Sequence, residues 1–153
     1  MASILPLFPK FVFTVLEPIS LLAAFIVAMI SPEWFIQEQV VISRHLPISD
    51  NARAVALQLA MVYLLMAMVE IAILSGTQES KVVRNYLFAC WLGDIGHFFV
   101  TYRVLGWERV GNVTQWNSMT FGNIGVTVFL FLTRSAYLLG LFGPHKKGAA
   151  KLA

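Results

Sequence analysis

The sequence predicts an all-α integral membrane protein, a four-helix bundle with a polar chamber in its core. Three observations predict it. First, hydrophobic residues make up 58% of the 153-residue chain and charged residues 12%, with a mean hydropathy of +0.74; soluble domains carry about 25% charged residues. Second, four apolar runs of spanning length occur, and a bilayer-crossing helix needs about 20 such residues. Third, a few ionisable residues interrupt those runs, where lipid makes them costly. So small a chain has too much surface to hide this much apolar area in water, whereas hydrocarbon can solvate it from outside.

The runs cover residues 11–30, 54–74, 82–105 and 119–141, within one membrane domain, residues 1–153. Glu17-Pro18 interrupts the first, and Ser31-Pro32 follows it. A cleaved signal peptide is the competing reading of that run, but it exceeds the usual apolar core and lacks a small-x-small cleavage site. Ser49-Asp50-Asn51 reads as an N-cap for the second run, which carries Gln58 and Glu70 and ends at Ser75-Gly76-Thr77. The third carries Arg84, Asp94, His97 and Arg103; the fourth carries Asn123 and Arg134 between Asn117-Ser118 and Gly143-Pro144. Trp34, Trp107 and Trp116 lie near run ends, as an interfacial aromatic belt requires. The longest connection, 31–53, is expected to lie on the membrane surface or form a lid.

The net charge of +3 suits loops beside anionic headgroups. No basic patch interleaved with aromatics exists, so nucleic acid is not an expected partner; membrane lipids are. Cys90 stands alone, which excludes an internal disulfide and a cysteine zinc site. No HxxxH or HExxH spacing exists, and His45 and His145 fall in loops, so neither metal nor cofactor is expected. Lys10, Lys81, Arg84, Lys146, Lys147 and Lys151 fall on one side; Arg44, Arg53, Arg103 and Arg109 fall on the other. That balance favours cytoplasmic termini, and Asn112-Val113-Thr114 is then a lumenal glycosylation sequon.

At ~1.5 Å per residue, Glu17 and Arg134 lie roughly 10 Å from the terminal side, Glu70 roughly 6–8 Å, and Asp94 and His97 roughly 17–22 Å. Cys90, Asp94, His97 and Thr101 share one helical stripe, as do Tyr63, Met66 and Glu70, and Asn123, Thr127 and Arg134. Gly93 and Gly96 are expected to let a neighbouring helix approach closely. With these stripes inward, the chamber holds the parts for acid/base chemistry. Asp94 and His97, three residues apart, form the expected central pair, with Glu70 or Glu17 as partner carboxyl and Arg134 holding one carboxylate charged. Structural readings compete: Arg134 in a buried ion pair, Asp94–His97 as a packing hydrogen bond, Glu17-Pro18 as a kink.

Leu16-Glu17-Pro18, Gln58-Leu59, Gly93-Asp94-Ile95-Gly96-His97, Trp116-Asn117 and Phe121-Gly122-Asn123 carry a resemblance. From Pro9 to Gly143 the chain resembles small fungal four-helix membrane proteins with EP, D-x-G-H and W-N…G-N motifs. Some of these are similar to membrane epoxide hydrolases/cyclases of secondary-metabolite clusters, including those making aurovertin-, citreoviridin- and asteltoxin-like polyketide polyene pyrones. The resemblance implies that Glu17, Asp94, His97, Trp116, Asn117 and Asn123 matter. It also implies a lipophilic substrate, an upstream flavin monooxygenase that makes the epoxide, and residence in the endoplasmic reticulum. With Glu70, Tyr63 and Arg134 added from the helix stripes and not from the resemblance, Asn123, Trp116, Asn117, Tyr63 and Arg134 are expected to bind substrate, and Asp94, His97, Glu70 and Glu17 to be catalytic. A protonation-initiated terpene cyclase or double-bond isomerase would use the same acid. A non-catalytic lipid-binding protein or scaffold would instead need a narrow chamber with every carboxyl neutralised. A channel or transporter fits poorly, for lack of a repeat or a polar pore-lining series.

Overall fold

The computed structural model describes residues 4–40 and 47–143, and every regular element in them is helical. Arg44, His45, Pro144, His145, Lys146, Lys147 and Lys151 lie outside the described residues. Six helices follow in order: α1 Leu7–Ile30, α2 Pro32–Gln39, α3 Asp50–Gly76, α4 Ser80–Leu105, α5 Trp107–Val110 and α6 Ser118–Leu138. Three of them, α1, α3 and α6, are long and apolar enough to cross a membrane. Helix α4 is as long, but Asn85, Asp94 and His97 in its middle make it less apolar.

Local sequence sets the boundaries. Ser49 caps α3, its hydroxyl accepting from the Ala52 N–H at 3.1 Å. Helix α4 stops at Gly106, whose φ of +77° suits glycine alone. Asn117 caps α6 by accepting from the Thr120 N–H at 2.7 Å. Helix α6 ends at Leu138, three residues before the expected Leu141, where the chain turns through Gly140 at φ +76°. Helix α1 starts at Leu7, earlier than the expected residue 11, because Pro9 falls in its first turn, where no N–H is needed. Helix α3 runs four residues before and two beyond the expected 54–74.

Both α1 and α6 widen into one π-helical stretch, over Val12–Leu16 and Phe121–Val126. The Glu17 N–H reaches back five residues to the Val12 carbonyl, next to Pro18, which has no N–H to continue the ladder. In α6, Gly125 allows the tight wrap: a Cβ there would lie 3.2 Å from the Phe121 ring and 3.5 Å from Trp116. Such π-helical turns redirect side chains and release carbonyls inside a helix.

The long helices pack in two pairs, α1 with α3 and α4 with α6. Close approach between the pairs is much sparser, and the first turns of α1 and α6 and the short α2 carry part of it. One apolar core joins Val12, Phe13, Leu74, Val83, Leu87, Leu130 and Tyr137; a second joins Ala28, Phe35, Ala56 and Ala60. The connection 31–53 contains a true helix, α2, which buries Phe35 against α3. Gly93 and Gly96 do not serve as helix contacts, contrary to the sequence expectation: a Cβ on either meets nothing within 4 Å. Both are exposed, and Gly93 lines a cavity between the helices.

Candidate functional site

A cavity of about 910 Å³ lies between the helix pairs, inside the 300–1,000 Å³ range of small-molecule sites. Glu17 reaches it from α1, Tyr63 from α3, Asp94 and His97 from α4, and Asn123 and Arg134 from α6; Trp34 and Phe35 of α2 line it too. Most of the remaining wall is alanine, valine, leucine and methionine.

Arg134 organises its inner end. The side chain is 1% exposed, and the guanidinium stands over the Phe13 ring, 5.4 Å from its centroid. Its Nη1 donates to Asp94 Oδ2 at 2.6 Å, and its Nη2 donates to Glu17 Oε1. One cation thus ties α1, α4 and α6. Glu70 of α3 is fully buried, with Glu17 as its neighbour. Among the described residues, Glu17 Oε2 and both Glu70 oxygens have no hydrogen-bond partner. Each of the four long helices therefore contributes one ionisable group to a single cluster.

The expected Asp94–His97 pair is not formed among the described residues. Asp94 turns to Arg134, while the His97 ring lies by the backbone of Asn123 in the π-helical turn. His97 is the more exposed of the two. Spacing of three residues permitted contact, but a buried guanidinium in reach is the stronger partner for a carboxylate. Glu70 lies behind Glu17 and does not line the cavity.

The W-N…G-N residues divide. Asn123 lines the cavity and donates from Nδ2 to Gln39 Oε1 at 2.9 Å. Asn117 donates to the Glu38 carboxylate at 2.7 Å and to the Glu38 carbonyl at 3.0 Å. Trp116 donates to the Arg109 carbonyl at 3.0 Å. Neither Trp116 nor Asn117 lines the cavity. Instead they fix the start of α6, and Asn117 and Asn123 latch it to α2.

Two residues went unread in the sequence. Tyr86 lines the cavity one turn before Cys90, with its hydroxyl against that thiol and near Glu70. It stands four residues before Cys90 and so extends the stripe through Asp94 and His97. Glu38, 8% exposed, is the buried partner of Asn117; no spacing links positions 79 residues apart.

No curated protein and no solved structure matches the chain. Residues 2–144 match the family described as Domain of unknown function (DUF7704), and the chain belongs to that family.

Proposed function

We propose that the protein is a membrane-embedded acid/base enzyme that opens or cyclises an epoxide on a lipophilic polyene or prenylated substrate. One observation carries this reading: three carboxyl groups, with only one guanidinium among them, gather at the inner end of a cavity of ligand size. Buried charges in lipid are a functional site by default. The resemblance to fungal membrane epoxide hydrolases/cyclases supplies the reaction.

The Glu17–Glu70 pair is the acid. At rest Glu70 holds the pair's one proton and Glu17 is the carboxylate on Arg134; the proton passes through Glu17, on the cavity side, to the oxirane oxygen as the C–O bond breaks. Asp94, held at Oδ2 by Arg134, is the base. It takes the proton from water or an internal hydroxyl as that oxygen attacks the carbon. Water gives a diol; an internal hydroxyl gives a cyclic ether isomeric with the epoxide. A proton passing from Asp94 back to the glutamates restores the start. Tyr63 and Asn123 orient the substrate.

In this reading α4 also spans, completing a four-helix bundle. Its outer residues Phe99, Val100 and Val104 are large, apolar and exposed, as lipid-facing residues are. The termini face the cytoplasm, the membrane is that of the endoplasmic reticulum, and an upstream flavin monooxygenase supplies the epoxide.

The test is turnover of a polyene epoxide by protein in lipid nanodiscs, followed in ¹⁸O-water. Conversion is expected, with label in a diol or, for a hydroxy-epoxide, an unlabelled cyclic ether. Glu17→Gln should lower the rate roughly a hundredfold or more, the usual worth of a general acid. Binding without conversion would favour a lipid-binding protein.

A further inference from the structure

The four long helices are not tied alike. Arg134 bridges α1 to α6 and α4 to α6, and Trp91 of α4 donates to Ser135 of α6 at 2.8 Å. Among the described residues no hydrogen bond or ion pair crosses from α3 to α4. Along this seam Val62 and Met66 of α3 and Ala89 and Gly93 of α4 are all exposed, and all four also line the cavity. Ser20 and Ala23 of α1 and Gly122 of α6 are exposed and line the cavity as well, but the Arg134–Glu17 pair crosses that seam, whereas no such pair crosses the α3–α4 seam among the described residues. The α3–α4 seam faces sideways, partway along two long helices, at the depth of Asp94. A side chain added at Gly93 would meet nothing within 4 Å.

We infer that the α3–α4 seam is a lateral window, and that the ligand is a neutral, elongated molecule whose chain passes through it into the bilayer. The oxygen-bearing end then rests on the Asp94–Arg134 cluster. Two features choose this chemistry. The guanidinium is already matched by two carboxylates, with a third carboxyl beside them, so an anionic head is disfavoured. The window walls are apolar or bare, so the chain leaving through them finds hydrocarbon, not water. Gly93 then sets how wide that chain can be. This rests on the acid/base reading for which end of the ligand is polar, not for the route.

The experiment measures binding by calorimetry for protein in lipid nanodiscs, with all-trans-retinol as the long neutral probe and geraniol as the short one. Wild type should bind both. Gly93→Trp should weaken retinol roughly tenfold or more and leave geraniol and the melting temperature unchanged, since geraniol fits within the cavity. Met66→Trp, from the facing wall, should repeat that length-dependent loss, and Gly93→Leu gives the same comparison should the tryptophan misfold. Ala23→Trp, on the α1–α6 seam, should show no such length dependence. Equal loss of both probes in Gly93→Trp would overturn the window, because the new ring would merely be filling the cavity. A length-dependent loss confined to Ala23→Trp would move the route to the other seam, and failure of wild type to bind retinol would overturn the ligand class. Binding is read without turnover. A protein that takes retinol through this seam but opens no epoxide would therefore overturn the catalytic reading alone.

Discussion

The two ends of the cavity are held by different chemistry. At the inner end, charge holds three helices: Arg134 grips Glu17 and Asp94 with almost no exposure to solvent. At the other end, amides hold α2 to α6: Asn117 on Glu38 and Asn123 on Gln39. Arg53 adds a surface link from α3 to Glu33, also touching Asp50. The inner end is costly to build and lines the cavity. The outer latch is cheaper, and apart from Asn123 its polar groups face one another and not the cavity. The comparison separates a site from its scaffold, although both ends contain residues of the same short motifs.

Breaking the inner end should have the largest effect on stability. Arg134→Met leaves two carboxylates buried without their cation, which costs about 3–5 kcal/mol; thermal unfolding in detergent should show a large fall or loss of folded protein. Breaking the latch should cost less. Asn117→Ala removes a helix cap, worth ~1 kcal/mol, and strips a donor from Glu38, worth roughly 1–3 kcal/mol more. The same unfolding assay should show that smaller loss, with activity per folded molecule near wild type.

The smallest effect belongs to Glu33. Its own backbone N–H, and then Arg53, hold its carboxyl below the ordinary 4.5. A lowered carboxyl stabilises fully above 4.5 and loses that contribution as pH falls through the lowered value. Both partners are exposed, so the effect is slight. Comparing wild type with Glu33→Gln should therefore show any difference at neutral pH and none at strongly acid pH.

How much was legible follows the same division. The long helices, three of them apolar enough to cross a membrane, were legible because apolar runs and their caps are local: Ser49 before α3 and Gly76 at its end stand where the chain turns. The gathering of Glu17, Glu70, Asp94 and Arg134 was legible because antiparallel helices and a fixed rise convert position into depth. What was not legible was partner choice. Asp94 could reach His97 along its own helix or Arg134 across the cavity, and only packing decides that. Glu38 lay in a connection with no period to read, and Gly93 looked like a contact because the pattern of small residues cannot say whether a neighbouring helix is there.

The measurement that tests the central claim most directly sets one residue from each end side by side. Asp94→Asn and Asn117→Ala would be compared with wild type for turnover of a polyene epoxide in nanodiscs, each normalised to folded protein. Asp94→Asn should fall roughly a hundredfold or more while staying folded, and Asn117→Ala should keep its rate and lose stability. Full turnover in Asp94→Asn would contradict the assignment of the chemistry to the Arg134 cluster.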